Sequence, residues 1–551
     1  MYKIATRGSR LATRQSGMIR DLLAEKAGLE AELMIVKTAG DVIQNKPLSE
    51  VKGTGFFTKE IEQALFDGRA DIAVHSLKDL PIQQPPGIEV MAIAEREDPR
   101  EALITRPENI DTSHPMKLKF GLSVGTSAIR RKAQIMALRP DLKVKDLRGN
   151  VTTRLEKLRS GEYDAIIIAY AGLKRVGVEI DDLELRVYKI DEFVPAPAQG
   201  ALAVETRTKD YDVASKVAKI NHNQTKAAVD AERRLLLLCG GGCHLPLGAN
   251  LSRTDNGMAM SVFWSYVLPD NTLKCVYDKK TGESYDQLVE DSYALIKRTE
   301  LQDILRFKGR SKEAPGKLLI TRPSEKTDEL EQKLAEKNIE LISYSVQKLN
   351  KNFDDKEWID IEQRFHEYEY IILTSANAVR FFKEILEASN IPPENYSYKK
   401  IATVGLKTAQ AAGEAFPDSE IIVSHISTGA GLGAHMLEYK KGKTLFPCAA
   451  EAGHDLERIL GDAGWDIDRF KIYESMAEKN ENLPHIDPKD IAFYCFTSPL
   501  AAEFTFDKIS IPESSLIISI GPKTSEKIRA LGHNVDWEIP NSNLEWLWQV
   551  L

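Results

Sequence analysis

The sequence predicts an α/β fold, and three observations lead to this prediction. Short apolar runs at residues 71–74, 165–168 and 370–373 are each followed by a segment with helical periodicity, which is typical of strands connected by helices. At 551 residues the chain is several times the usual domain length, so we expect three to five domains. Charged residues, proline and glycine crowd together at 306–316, and this stretch predicts a linker between two halves.

Composition narrows the class of protein. Hydrophobic residues make up 42% of the chain and charged residues 28%, as in an ordinary globular protein. A net charge of −8 argues against general nucleic-acid binding. The five cysteines are odd in number and scattered, which fits a reducing compartment and predicts a cytoplasmic location. The first residues lack an apolar leader and no segment reaches the roughly 18 apolar residues of a membrane span, so we expect neither secretion nor membrane insertion.

The second half contains an internal repeat. The segment at 373–379 recurs in form at 496–502, and the segment at 404–409 recurs at 520–525. We therefore expect two related α/β lobes, each with strands that end in these turns and helices that begin there, Ser498 acting as a helix N-cap. Two interpretations stay open: the turns only cap helices, or all four face one cleft and form an anion-binding surface.

Arginines in the first half recur beside glycine, serine and threonine. They lie in the segments 6–9, 125–131, 147–154 and 172–175. Arginine binds carboxylates in a bidentate manner, and the neighbouring residues add hydroxyl and backbone donors. This combination suits a substrate with many carboxylates or phosphates. The alternative for each arginine taken singly is a solvated basic face.

Asp79 lies against this basic background, in the segment 75–81 that directly follows the apolar run ending at Val74. Nearby cations would hold its carboxylate ionised. It could then stabilise a developing positive charge and exchange protons with a nitrogen heterocycle. The alternative is that Asp79, which precedes Leu80 and Pro81, only caps a turn.

Cys243 lies in a glycine-rich segment, residues 240–249. Glycines permit close approach by another molecule, so this thiol could be reached and modified, although a loop cysteine can also be ordinary packing. The spacing of Cys239, Cys243 and His244 does not fit a zinc knuckle, and we expect no metal site. Residues 429–433 do not form a dinucleotide fingerprint, and the sequence has neither a Walker motif nor a Gly-x-Ser-x-Gly elbow.

With these features assembled, the first half closely resembles the porphobilinogen deaminase (hydroxymethylbilane synthase) family over about 300 residues. The matching motifs lie, in order, at 5–7, 52–60, 70–81, 95–100, 125–131, 147–154, 161–165, 171–175, 197–201 and in the Cys243 segment. Two positions depart from the family pattern. Residues 52–55 read Lys-Gly-Thr-Gly where many members have Gly-Gly-Lys-Gly, so we leave Thr54 out of the site, and residues 196–200 read Ala-Pro-Ala-Gln-Gly.

The resemblance implies two lobes like those of periplasmic binding proteins and a small α/β domain that carries Cys243. The implied boundaries are 1–95 plus 196–216 for domain 1, 96–195 for domain 2 and 217–305 for domain 3. Cys243 would hold a dipyrromethane cofactor through a thioether. Each porphobilinogen would lose ammonia to give an azafulvene cation that the growing chain attacks, and four cycles would precede release of hydroxymethylbilane.

Site residues follow from the same resemblance. Asp79 would be catalytic, holding the pyrrole nitrogens and stabilising the cations. The residues expected to contact the cofactor besides Cys243 are Ser76, Lys78, Ser127, Arg130, Arg131, Arg148 and Gly149. The residues expected to contact substrate are Arg7, Ser9, Arg154, Arg175 and Gln199.

The second half resembles the uroporphyrinogen III synthase family, whose motifs are sparse. The match lies at 320–323, in the four repeated turns, at 445–448 and at 471–474. It implies a first lobe of 317–349 plus 478–551, a second lobe of 350–477, and a cleft between them that closes hydroxymethylbilane with inversion of its last ring. Tyr473 would assist departure of the hydroxyl. The residues expected to bind substrate are Thr374, Ser375, Thr408, Thr497, Ser498 and Thr524.

Together the two resemblances predict a bifunctional, monomeric enzyme that makes uroporphyrinogen III from porphobilinogen, with no nucleic-acid or membrane partner. One alternative keeps the deaminase and makes the second half catalytically degenerate. Another is a solute-binding protein, which would ordinarily carry an export signal and would not need Cys243.

Overall fold

The computed structural model describes residues 1–38, 58–242, 245–255, 257–310, 316–323, 327–389, 391–424 and 428–551. Cys243, the 52–55 segment with Thr54, and residues 311–315 of the expected linker lie outside the described residues. The chain forms two compact units. The first unit comprises Met1–Glu313 and Glu545–Leu551, and the second comprises Ala314–Leu544.

The first unit contains two five-stranded mixed sheets. Sheet one has the order β2-β1-β3-β10-β4, and sheet two has the order β7-β6-β8-β5-β9. In sheet one β10 runs antiparallel to both of its neighbours, and in sheet two β5 does so, while the other pairs in each sheet are parallel. The strands are β1 (Tyr2–Arg7), β2 (Ala31–Val36), β3 (Ile72–Ser76), β4 (Ile88–Ile93), β5 (Glu101–Thr105), β6 (Ser123–Gly125), β7 (Lys143–Lys145), β8 (Ala165–Ala169), β9 (Glu184–Val187) and β10 (Leu202–Arg207).

Helices cover these two sheets and provide the connections between parallel strands. They are α1 (Arg10–Ala27), α2 (Lys59–Phe66), α3 (Ile129–Leu138), α4 (Val151–Arg159), α5 (Tyr170–Val176) and α6 (Tyr211–Val217). The helical covering explains the apolar runs in the sequence. Residues 165–168 of β8 are all buried, because a central strand covered on both faces has no solvent side.

A third sheet completes the first unit. It is an antiparallel meander of β11 (Leu247–Thr254), β12 (Gly257–Val267) and β13 (Leu273–Gly282). Two long helices pack with it, α7 (Asn223–Leu238) and α8 (Tyr285–Phe307).

The second unit contains two more sheets. The fourth sheet is parallel throughout, with the order β15-β14-β22-β23-β24, and the fifth has the order β16-β21-β20-β17-β18-β19 with only the β16/β21 pair antiparallel. The strands are β14 (Lys317–Ile320), β15 (Glu340–Ser343), β16 (Gln347–Lys351), β17 (Tyr370–Leu373), β18 (Lys400–Val404), β19 (Ile421–Ser424), β20 (Thr444–Ala449), β21 (Ile467–Ala477), β22 (Ile491–Phe496), β23 (Leu516–Ser519) and β24 (Trp537–Glu538).

The helices between these strands complete the two lobes. They are α9 (Asp328–Ala335), α10 (Asp355–Gln363), α11 (Ala376–Glu387), α12 (Gly405–Ala415), α13 (Gly429–Met436), α14 (Asp455–Asp462), α15 (Pro499–Phe506) and α16 (Pro522–Ala530). The antiparallel strands β16 and β21 lie where the chain passes between the two sheets. None of the helices among the described residues is long and apolar enough to cross a membrane.

The fold agrees with the α/β prediction and differs from the expected boundaries at one end. The predicted strands are present at Ile72–Ser76, Ala165–Ala169 and Tyr370–Leu373. The last helix, α17 (Glu545–Val550), was assigned from the sequence to the first synthase lobe, but it packs with the first unit. Its apolar face contacts α8, a partner about 250 residues away in sequence, and no local pattern identifies such a partner.

Candidate active sites

The candidate site of the first unit begins where β3 ends. Leu77 is buried, and its backbone N–H donates to Ala201 O at 3.0 Å, which holds a short 3-10 turn over Leu77–Asp79 against the sheet. The same turn leaves Lys78 half-buried and Asp79 exposed. The Ser76 hydroxyl is also anchored, because Gln15 Nε2 donates to its Oγ at 3.1 Å. The strand end therefore presents an ammonium group and a carboxylate side by side.

Gln199 and Gly200 connect this turn to a second cation. Lys78 Nζ donates to Gln199 Oε1 at 3.2 Å, and Gln199 Nε2 donates to Pro99 O at 2.8 Å. Arg175 Nη2 donates to Gly200 O at 2.7 Å. The buried Arg175 Nε has no hydrogen-bond partner among the described residues. One tight turn thus positions both Lys78 and Arg175, and Arg175 keeps a donor for an anion.

Glycine is required at position 200. Its φ is +91°, and a Cβ there would lie 2.3 Å from Glu97 O. The preceding residues are fixed by Glu232, whose Oε2 accepts from Ala198 N–H at 2.7 Å and whose Oε1 accepts from Arg96 at 2.7 Å. Glu232 is fully buried, and sequence reasoning missed it because its partners lie 34 and 136 residues away.

Arg130 and Arg131 have a buried ionic partner, Glu101. Arg130 Nη2 donates to Glu101 Oε1 at 2.6 Å, and Arg131 Nη2 lies 2.8 Å from Glu101 Oε2. Their other donors reach Val194 O and Ile167 O. Burial alone would raise the pKa of Glu101, but Arg131 and Arg130 outweigh it and lower that pKa below its usual value. Glu101, a charged residue at the head of an apolar strand, is the signal that sequence reasoning missed.

The cations of this site share one electrostatic environment. Burial lowers the pKa of Lys78, and Arg131 and Arg130 lower it further, while Asp79 and Glu101 oppose the shift. Burial together with Arg131 lowers the pKa of the half-buried Arg154 to about 10, and Asp79 again opposes the shift. Like charges that are close together and partly shielded from water repel each other, so a bound anion stabilises them. The structure thus places Lys78, Asp79, Arg131 and Arg154 close enough to interact electrostatically.

The remaining predicted residues of the first unit lie at neighbouring strand ends and turns. Ser127 Oγ donates to Leu147 O at 2.9 Å and accepts from Leu147 N–H at 3.1 Å, so it pins the turn that contains Arg148 and Gly149. Gly149 has a φ of +109°. Arg7 ends β1, and Ser9 caps α1 by accepting from Ala12 N–H at 3.2 Å. Ser9 and Ser127 thus have local structural partners, and their contacts with substrate or cofactor stay predictions.

The candidate site of the second unit centres on Tyr473, in β21. Ser375 Oγ lies 3.0 Å from Tyr473 Oη and also accepts from Ala378 N–H at 3.0 Å, which caps α11. The Tyr473 ring stacks on Phe381 with centroids 5.0 Å apart. Burial raises the pKa of Tyr473 despite the Ser375 hydrogen bond and nearby Arg380, so the phenol is protonated at neutral pH.

The matching turn of the other lobe has a parallel arrangement. Ser498 Oγ accepts from Ala501 N–H at 3.0 Å, capping α15, and donates to Gln347 Oε1 at 2.9 Å. Gln347 begins β16, which pairs with the end of β21. Each N-cap serine therefore contacts one strand of the β16/β21 pair. Gln347 was not predicted, and nothing in its local sequence marks it.

The other predicted threonines differ in burial and in hydrogen bonding. Thr497 Oγ1 donates to Thr321 O at 2.7 Å, and Thr408 and Thr524 are buried. Thr374 is half-buried after β17. The four turns end β17 and β18 in the fifth sheet and β22 and β23 in the fourth. A helix begins at each turn, and the first backbone N–H groups of a helix have no acceptor within it.

Comparison with known proteins assigns the first unit. Porphobilinogen deaminase of Nitratidesulfovibrio vulgaris is 44% identical over 255 residues, which is 46% of this chain and 78% of the relative. The deaminase of Phenylobacterium zucineum is 46% identical over 261 residues, 45% of this chain and 79% of the relative. The chain belongs to the porphobilinogen deaminase family. Residues 2–215 match the model of the porphobilinogen deaminase dipyrromethane cofactor binding domain.

The comparisons also assign the second unit. Residues 328–549 match the uroporphyrinogen-III synthase HemD model, so this deaminase carries a synthase domain in the same chain. Among solved structures, the uroporphyrinogen III synthase of Thermus thermophilus is similar to 42% of this chain over 96% of its own length, at 15% identity and a TM-score of 0.31. We call the first unit the deaminase unit and the second unit the synthase unit.

The residues of the deaminase unit fit a dipyrromethane. This group carries acetate and propionate side chains on two pyrrole rings, so it needs cations for its carboxylates and an acceptor for its N–H groups. Lys78, Arg154 and Arg175, whose buried Nε has no hydrogen-bond partner among the described residues, would supply the cations, and the exposed Asp79 carboxylate would supply the acceptor. Among the described residues no group of histidine, cysteine or acidic side chains has the arrangement of a metal site.

Proposed function

We propose that the deaminase unit joins four porphobilinogen molecules into hydroxymethylbilane and that the synthase unit closes this product to uroporphyrinogen III. In each joining step the bond from the aminomethyl carbon to nitrogen breaks, that carbon bonds to the free α-carbon of the growing chain, and the proton lost from the α-carbon balances the ammonia that leaves. Water releases the finished hydroxymethylbilane. The observation that carries the proposal is the cluster of Lys78, Asp79, Gln199 and Arg175, in which one carboxylate lies among cations whose donors suit a polycarboxylate.

Within this cluster the roles divide by charge. Asp79 accepts from pyrrole N–H groups and stabilises the positive charge that develops when ammonia leaves. Lys78, Arg154 and Arg175 bind substrate carboxylates, with Lys78 positioned by Gln199. The dipyrromethane, when bound, supplies the covalent starting point of the chain, and Cys243 is the proposed point of attachment. Arg130 and Arg131 keep Glu101 as their partner and contribute positive potential.

In the synthase unit the four turns contribute backbone N–H groups and Tyr473 contributes a protonated phenol. We propose that the N–H groups bind the carboxylates of hydroxymethylbilane and that Tyr473 donates its proton to the departing hydroxyl. Ser375 orients the phenol. Thr374 follows β17 and Ser498 follows β22, and we retain both as binding residues.

The finer layout belongs to the same proposal. Deaminase domains at 1–95 plus 196–216, 96–195 and 217–305 agree with the three sheets of that unit. Synthase lobes at 317–349 plus 478–544, and at 350–477, agree with the fourth and fifth sheets. We propose a cytoplasmic monomer, a location supported by the odd number and scattered positions of the five cysteines.

The intact mass of the chain tests the cofactor attachment. The purified protein is expected to exceed its sequence mass by one dipyrromethane, and Cys243→Ser is expected to lack this increment. Cys239→Ser is the matched control, because the buried Cys239 thiol has its pKa raised to about 12 by burial and is unreactive. An active chain of unmodified mass would refute the attachment.

Asp79→Asn tests the catalytic assignment. Removing the charge while keeping the shape is expected to slow porphobilinogen consumption by about 10²-fold or more, as for other preorganised electrostatic groups. Asp67→Asn is the control, since Asp67 is an exposed carboxylate paired only with neighbouring side chains. Equal rates for the two variants would remove Asp79 from the mechanism.

A further inference from the structure

Helix α17 follows the synthase unit in sequence but packs in the deaminase unit. Its apolar residues Trp546, Leu547 and Val550 are buried. The Trp546 ring meets Tyr293 of α8 edge to face, with centroids 4.7 Å apart and an interplanar angle of 74°. Tyr293 is itself fully buried. This aromatic pair is a packed core contact rather than a loose association of a chain end.

A second contact fixes the end of this helix. Arg298, one and a half turns further along α8, donates from Nη2 to Gln549 O at 2.6 Å and from Nε to Val550 O at 3.2 Å. These carbonyls have no partners within a helix end, so a cation there satisfies them and also offsets the negative end of the helix dipole. Apolar packing and a charged cap therefore act on the same six-residue helix.

Helix α8 connects α17 to the segment that carries Cys243. Arg234 of α7 forms ion pairs with Asp286 and, at 2.9 Å, with Glu290, both on α8. Helix α7 ends at Leu238, five residues before Cys243 in sequence. The backbone N–H groups of Gly240 and Gly241 donate to Leu237 O and Leu236 O, so the chain is fixed to the end of α7 as far as Gly241. A continuous series of packed helices thus runs from α17 through α8 to α7.

We propose that residues 545–551 act as a clasp on the deaminase unit and stabilise the part of it that holds the cofactor. The clasp binds the face of α8 formed by Tyr293 and Arg298. The chain therefore leaves the deaminase unit before residue 314 and returns to it at residue 545. Deaminase activity then depends on a segment that follows the synthase unit, although residues 545–549 fall within the synthase family match at 328–549. The effect on activity rests on the proposed deaminase function, whereas the packing does not.

Hydrogen exchange and heat inactivation of the full chain test this inference. Trp546→Ala and Leu547→Ala each remove a buried side chain from the clasp. Amides of α8 are expected to exchange at least about tenfold faster in both variants, because the free energy needed to open this region falls. The temperature of half-inactivation of porphobilinogen consumption is expected to fall by about 4 °C or more.

Gln549→Ala is the matched control, since only the backbone carbonyl of Gln549 contacts Arg298. It is expected to behave as the unaltered chain. Arg298→Lys keeps the charge but loses the two-donor geometry, and it provides a milder variant if Leu547→Ala does not fold. Unchanged exchange in α8, or faster exchange confined to 316–540, overturns the proposal. If the unaltered chain consumed no porphobilinogen, the proposed deaminase function would be wrong. The hydrogen exchange of α8 would still test whether residues 545–551 stabilise that helix.

Discussion

Lys78 illustrates how a single side chain is tuned by its surroundings. Its ammonium group is held by Gln199 beside Asp79, but burial and the nearby Arg131 and Arg130 lower its pKa. A lysine with a lowered pKa loses its proton at a pH where a free lysine is still charged. In its proposed role Lys78 binds substrate carboxylates in the charged form, so we expect the affinity of the free enzyme for porphobilinogen to decline as the pH rises through that lowered pKa.

Lys78→Arg is expected to extend deaminase activity to higher pH. Arginine stays charged at every accessible pH, so the alkaline decline of kcat/KM for porphobilinogen should move to higher pH. At neutral pH kcat/KM should fall by less than about tenfold, because the charge is retained. The pH profile of kcat/KM measures this directly, since it reports groups of the free enzyme. An alkaline decline at the same pH in both proteins would show that Lys78 does not set it.

At the scale of elements, the turn at residues 196–200 shows what close packing demands. Gly200 has a positive φ and lies against Glu97 O, and its own carbonyl accepts from Arg175. Gly200→Ala is expected to destabilise the deaminase unit by about 2 kcal/mol or more, from conformational strain and from the displaced backbone. Thermal unfolding measures the stability, and porphobilinogen binding should weaken with it.

Gly177→Ala provides the comparison for this prediction. Gly177 has a φ of +61°, but a Cβ there would meet nothing within 4 Å. The Gly177→Ala substitution is expected to lower the free energy of unfolding by only about 1 kcal/mol and to leave porphobilinogen binding unchanged. Equal effects of the two substitutions would mean that the contact with Glu97 has no special importance.

The elements also show what the sequence could predict. Strands such as Ala165–Ala169 and the N-cap serines were predictable, because apolar runs and capping residues act within a few positions. The arginines were found as a cationic set, but the pairing of Arg130 and Arg131 with Glu101 was not. That pairing depends on β5 and α3 meeting in space, which no local pattern specifies. Gln347 and Glu232 escaped prediction for the same reason.

At the scale of the whole molecule, one chain holds a deaminase unit and a synthase unit. The division into two halves was predictable from the linker composition and the internal repeat. The return of α17 to the deaminase unit was not, because Trp546 and its partner Tyr293 are separated by the entire synthase unit. Long-range contacts of this kind are decided by burial of apolar surface, not by local propensity.

Tyr473→Phe is expected to separate the two activities. Loss of the phenolic proton should slow ring closure by about 10²-fold and leave the rate of porphobilinogen consumption unchanged, so hydroxymethylbilane accumulates and closes spontaneously to the type I isomer. Tyr494→Phe is the control, since the Tyr494 hydroxyl donates to Pro488 O, which precedes β22 at the end opposite its turn. Slower porphobilinogen consumption in Tyr473→Phe would contradict the assignment.

The most direct test of a bifunctional enzyme is isomer analysis of the product that the unaltered chain makes from porphobilinogen alone. The two units acting in sequence predict uroporphyrinogen III as the main product. Exclusive formation of the type I isomer would show that the synthase unit is inactive, and it would contradict the account.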